Sequence, residues 1–196
     1  MLRLAGAIGL AVLASACSPA KPAAGTEAAT NAEAPPTTDT ASTEKQKQAD
    51  QKAAYDAVKS DEAKIDDLAD AGNGFALFHR GEARLKSTEY TVQQGGFEDM
   101  EAAAEAGNAD AELWVGTHMA YGLDGYPLKP NSGLKMIEKA AKQDHIEAIL
   151  ALGLMYEQDT FMRDPAKAKE WYERGVALGS DKAKDALAKL GTPEDF

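Results

Sequence analysis

Cysteine is almost missing from this chain: of 196 residues only Cys17 carries a thiol. That excludes a disulfide within the chain and a thiolate-rich metal centre, which needs several such ligands at one place. Positive charge is also short, with 21 Lys and Arg against 32 Asp and Glu and a formal net charge of -11. Binding to a phosphate backbone runs on Lys and Arg releasing counterions, so no nucleic-acid partner is expected. No apolar run reaches the roughly 20 residues a membrane-spanning helix needs. The longest, Leu4 to Leu13, is about half that. Between Ser18 and Thr43 there is no Val, Ile, Leu, Met, Phe, Tyr or Trp at all. Such a stretch buries too little apolar surface to offset the entropy of ordering.

Catalytic signatures are missing too. There is no G-x-S-x-G elbow and no glycine-rich phosphate loop, and the three histidines, His79, His118 and His145, fall in separate segments. No catalytic residue, cofactor site or metal site is assigned. An envelope hydrolase or small-ligand binder is the rival class, which a deep pocket or turnover of a hydrolase substrate would reveal.

What is present begins with MLRLAGAIGLAVLASA, residues 1–16: one positive charge at Arg3, an apolar run, then small residues. It reads as a signal peptide. Leu13 to Cys17 resembles a bacterial lipobox, in which Cys17 would be lipidated, while Ala14-Ser15-Ala16 also fits an ordinary A-x-A cleavage site and a free thiol. Residues 17–43 then form a disordered Ala/Pro/Thr tether. The expected location is the bacterial cell envelope, as an outer-membrane lipoprotein facing the periplasm and held to the membrane by its lipid. The alternative is a soluble secreted or periplasmic protein.

From Glu44 onward, apolar residues recur at helical spacing and period-two runs of β-branched residues are absent, so residues 44–196 read as all-α. Four segments also share one ending: LADAGNGFA at 68–76, AAEAGNADA at 103–111, AAKQDHIEA at 140–148 and GVALGSDKA at 175–183. A glycine recurs at Gly81, Gly116 and Gly153. Periods of that size mean stacked helix pairs, an α-α solenoid. Repeats are expected over about 75–107, 109–144 and 146–179, each a first helix (75–85, 109–121, 146–157) and a second (96–106, 132–143, 165–178). Caps are expected at 44–71 and 181–190.

In the last repeat Ala168, Trp171, Tyr172, Gly175 and Val176 make one apolar stripe, with Asp164 as N-cap, Pro165 at the first helical position and Gly179 as the left-handed stop. A glycine inside a helix such as Gly153 costs about 1 kcal/mol relative to alanine, so its recurrence implies close helix packing there. Residues 148–179 resemble the Sel1-like repeat, a relative of the tetratricopeptide repeat, through Ala148, Leu152, Gly153, Tyr156, Asp164, Lys167, Ala168, Trp171, Tyr172 and Gly179. That resemblance implies a curved α-solenoid acting as a non-enzymatic adaptor, often in the envelope of bacteria. A structural lipoprotein of cell-wall or polysaccharide machinery is a further reading it implies.

Candidate partner-binding residues are the aromatics and polar groups on and after the first helices, Phe78, Trp114, His118, Tyr121 and Tyr126, with inter-repeat core as the competing role for Phe78 and Trp114. An acidic face is expected at Glu98, Asp99, Glu101 and Glu105, within a stretch, 87–128, that has no Lys or Arg. It suits a protein partner with a basic segment.

Overall fold

The computed structural model describes residues 38–190 apart from Phe161, with side chains from Ser42 onward. The signal peptide, Cys17 and most of the tether lie outside the described residues. Helices follow in the order α1 Thr38–Asp56, α2 Glu62–Asp70, α3 Gly74–Leu85, α4 Tyr90–Glu105, α5 Ala109–Tyr121, α6 Pro130–Lys142, α7 Ile146–Gln158, α8 Pro165–Ala177 and α9 Asp181–Leu190. Among the described residues there is no strand, and no helix is long and apolar enough to cross a membrane. From α2 to α9 each helix packs on the next. The repeats are therefore α3–α4, α5–α6 and α7–α8, with α2 in front and α9 behind.

Each repeat boundary is built the same way. A residue in the left-handed region ends the incoming helix: Gly72 (φ 80°), Gly107 (φ 90°), Asp144 (φ 65°) and Gly179 (φ 84°). The next residue caps the outgoing helix, and its side chain accepts a hydrogen bond from the amide of an alanine three positions on. The pairs are Asn73 to Ala76 at 3.1 Å, Asn108 to Ala111 at 2.9 Å, His145 Nδ1 to Ala148 at 3.2 Å and Ser180 to Ala183 at 3.2 Å. Such a cap contributes about 1 kcal/mol. All four alanines are fully buried, and Ala183 sits against Gly175 of the preceding helix. One sequence motif thus encodes stop, turn, start and contact.

The recurrent glycines sit where the two helices of one repeat touch. A methyl on Gly153 would lie 2.6 Å from Tyr172 Cδ1; on Gly116, 2.8 Å from Ile137 Cγ1; on Gly81, 3.4 Å from Met100 Cγ. Met100, Ile137 and Tyr172 occupy the same register in α4, α6 and α8, and each is buried. Four residues before them come Gly96, Gly133 and Ala168. The second helix therefore presents a small residue and then a large one to its partner's glycine. The close approach expected at these glycines is made to the neighbouring helix of the same repeat.

Three features differ from the sequence reading. The front cap is two helices rather than one, because the chain turns at Ala57–Asp61, where Val58 accepts from the Asp61 amide at 2.8 Å. Its first helix starts at Thr38, inside the stretch read as tether, because it is a polar helix whose fold does not depend on an apolar face. The second is that α4 begins at Tyr90, six residues earlier than expected. The Gly95-Gly96 pair resembles a helix boundary, yet Gly96 lies within α4, pressed on Leu85 and the Gly81 carbonyl. Val176, placed in the apolar stripe of α8, stands partly in solvent instead.

Candidate partner-binding surface

Trp114 and His118 are one turn apart on α5, and their rings stack with centroids 3.6 Å apart. The chain leaves α5 through Gly122 (φ 64°) and the short turn Leu123–Gly125, which sends Tyr126 back over them. Tyr126 lies 6.0 Å from Trp114 and 5.6 Å from His118. Phe97 of α4 completes the group at 5.9 Å from Trp114 and 6.0 Å from Tyr126. Sequence reasoning missed Phe97. Edge-to-face and stacked geometries of this kind add to the energy of area burial alone.

His118 ties the cluster to its loop. Nδ1 is 2.7 Å from the Trp114 carbonyl and Nε2 is 3.1 Å from Asp124 Oδ2. Both neighbours are acceptors, so both hydrogen bonds form together only when the ring carries two N–H groups. Asp124 itself adopts φ 49°, a left-handed conformation costly for a non-glycine residue, and its bond to His118 helps to hold it there.

Of the residues expected to bind a partner, Trp114, His118 and Tyr126 are brought together. Trp114 is half-buried and packs on the core built from Ile65, Leu77, Met100 and Val115, so the core and surface roles weighed for it coexist. Phe78 is also half-buried on that core, outside the ring cluster. Tyr121 is 47% exposed at the end of α5, near the exposed Leu123 and Leu128 of the following segment. The Tyr126 hydroxyl is buried beside the Glu101 carboxylate. Burial first, and then the charge of Glu101, raise its pKa.

Glu98, Glu101 and Glu105 are exposed on one face of α4, and none has an ion-paired cation among the described residues. Asp99 requires correction. It is only 5% exposed and belongs to an internal ion cluster, not to the acidic face. Arg80 holds it in a fork, Nε to Oδ2 at 3.0 Å and Nη2 to Oδ1 at 2.8 Å, and Arg84 adds a 2.8 Å contact. The Arg80 pKa is raised, chiefly by this hydrogen bond to Asp99. In the repeat register Arg80 stands where the others have Val115 and Leu152, and Asp99 where they have Met136 and Trp171. An internal ion pair replaces an apolar one.

A second buried carboxylate was also missed. Glu112 is 5% exposed and accepts from Gln143 Nε2 at 2.8 Å. Burial pushes its pKa up to about 7. It occupies the register of Leu77 and Ile149, so aligning the repeats of this chain against each other would have exposed it as a polar residue at a core position. Nearby, His145 Nε2 lies 2.9 Å from Asp110, which raises the imidazole pKa and lowers that of Asp110. The helix cap opposes protonation, because Nδ1 must keep its lone pair to accept from Ala148. Among the described residues no group of three or more His, Cys, Asp and Glu is arranged to hold a metal.

No family model matches the chain in sequence, and neither does any curated protein. Solved structures do match its fold. A Sel1 repeat protein from Oxalobacter formigenes aligns with a TM-score of 0.57 and 28% identity, over 65% of this chain and 96% of that one. The protein c5321, a protective antigen of uropathogenic Escherichia coli strains with an SLR fold, aligns at 0.56 and 20% identity over 68% of this chain. This alignment covers 30% of c5321's length. The class is thus a solenoid of stacked helix pairs. Within that class, its repeat domain has the Sel1-like repeat fold that residues 148–179 resemble.

Proposed function

We propose that this chain is a non-enzymatic scaffold that holds a protein partner in the bacterial cell envelope. The observation that carries the reading is the Phe97–Trp114–His118–Tyr126 cluster bordered by the carboxylates Glu98, Glu101 and Glu105. A helical repeat domain offers an extended surface of this kind. Partly exposed aromatics supply anchors of the sort that dominate binding energy, while uncompensated acidic residues attract a basic segment and speed its encounter. Acidic side chains three and four positions apart on α4 disfavour the helix slightly, so the stripe is not there for stability.

Location in this reading comes from the N-terminus. The only cysteine directly follows the expected cleavage point, and a lipid on Cys17 would fix the domain to the outer membrane on a tether. A Cys17→Ser chain that still took up fatty-acid label would remove that part. The binding reading is tested by a photo-activatable residue placed in intact cells at Tyr121 or Glu101, and at Glu173 as a control on α8. A shared protein adduct from the first two positions and none from the third is expected. Adducts equal at all three, or absent at the first two, contradict it.

A further inference from the structure

Helix α1 is held unlike any other helix here. Among its described side chains, from Ser42 to Asp56, none is buried and only Gln48, Gln51 and Tyr55 are half-buried, on one line at i, i+3 and i+7. Its attachments run to the turn edge of the first repeat. Gln48 Nε2 donates to the Ala106 carbonyl at the end of α4, at 2.8 Å. Gln51 Oε1 accepts from the Gly74 amide at 3.3 Å, and its main-chain carbonyl accepts from Asn73 Nδ2 at 2.9 Å. Tyr55 rests on the rings of Phe75 and His79, 6.4 and 5.9 Å away.

This docking leaves groups unsatisfied. Gln48 Oε1 is buried without a partner, and so is Nδ2 of Asn108, a residue only 1% exposed. Rotating the Gln48 amide would set its oxygen against the Ala106 carbonyl. Rotating Asn108 would turn an N–H toward the Ala111 amide that it caps. Neither flip repairs the fault. Asn73, in the same register as Asn108, does find an acceptor on α1. The exposed Glu44 carboxylate of α1 adds a like charge to the surroundings of the buried Glu112, which Gln143, Lys139 and His145 offset. A helix with almost no apolar contact and two unmade buried hydrogen bonds is weakly held.

We propose that α1 is a releasable strap, and that the edge it uncovers, made of Asn73, Gly74, Ala106 and Asn108, receives a polar partner helix with carboxamide side chains at i and i+3. The edge offers a carbonyl acceptor and amide donors close together and without net charge. A carboxamide supplies both complements, whereas a lysine or glutamate supplies one. A partner helix that also reaches Asn108 Nδ2 gains a hydrogen bond that α1 does not make. This site is separate from the aromatic face and stands without it.

Hydrogen–deuterium exchange on the full chain tests the release. Amides of residues 44–56 are expected to exchange roughly tenfold faster than those of α4 and α5. The double variant Gln48→Ala/Gln51→Ala should accelerate α1 further and leave α6 to α8 unchanged. Exchange of α1 in step with α4 and α5 in the unaltered chain makes it a fixed cap and overturns the proposal, whether or not the variant folds. The uncovered edge is tested by a fluorescent peptide of residues 42–58 added in trans. It should bind the double variant on the order of tenfold more tightly than the unaltered chain. Equal binding to both, or binding to neither, overturns the second half.

Discussion

At the scale of single residues, Gly153 and Glu112 show how far one position can be pushed by its surroundings. The ring of Tyr172, 2% exposed, fills the space a side chain on Gly153 would need. Leucine has the better helix propensity by about 1 kcal/mol, but overpacking costs about 1 to 3 kcal/mol and the obstacle is a fully buried ring. Packing wins. Gly153→Leu should lower the melting temperature by roughly 2 to 4 °C for each kcal/mol lost in a domain of this size, and Tyr172→Ala in the same chain should recover part of the loss. A melting temperature at or above that of the parent refutes the contact. Glu112 yields a pH dependence. Its folded pKa of about 7 lies above the ordinary value of 4.5, so the native state binds the proton more tightly than the unfolded chain does. Its contribution is fully present below pH 4.5 and is lost as pH rises to about 7, a change on the order of 3 kcal/mol at most. Glu112→Gln should therefore raise stability at pH 8 and flatten the curve between pH 5 and 8. Equal pH slopes in denaturant titrations of parent and variant would exclude this assignment.

Elements show where one repeat departs from its siblings. In α3 and α4 the Arg80–Asp99 pair stands where α7 and α8 have Leu152 and Trp171. Removing one partner of a buried pair leaves a charge uncompensated, whereas replacing both by apolar residues is often neutral or better. Asp99→Ala is expected to cost about 3 to 5 kcal/mol. Arg80→Leu combined with Asp99→Met should cost far less than that single change, as read from urea midpoints. A double variant as unstable as Asp99→Ala would mean that the ion cluster, with Arg84 on Asp99 and Asp70 2.6 Å from Arg80 Nη1, is indispensable to the repeat. Exposed Glu98→Ala should move stability by no more than about 0.5 kcal/mol, which separates the two acids the sequence had grouped together.

The whole molecule was legible wherever small residues repeat. Gly72, Gly107 and Gly179 with their caps, and the buried alanines three places on, place six of the helix boundaries within a residue or two, because stop and start are local chemistry. Stacked helix pairs followed from that spacing, and the Sel1-like fold from the resemblance of residues 148–179. What the sequence hid depended on partners distant in the chain. Asp99 looked solvated because its cations lie 15 and 19 residues earlier. Phe97 joined the aromatic cluster through Trp114 on the following helix and through Tyr126, which the turn at Gly122 and Gly125 brings back. Helix α1 lacked any apolar signature, and its docking through glutamine side chains leaves no periodic trace.

The central claim is that the acidic stripe of α4 and the aromatics beside it receive a basic partner segment. It is tested most directly by the association rate of the captured partner, measured at low and physiological salt. With the parent chain the rate should fall steeply as salt rises, and with Glu98→Gln/Glu101→Gln/Glu105→Gln it should start lower and hardly change. A rate indifferent to salt in the parent, or equal for the two chains, would contradict the account.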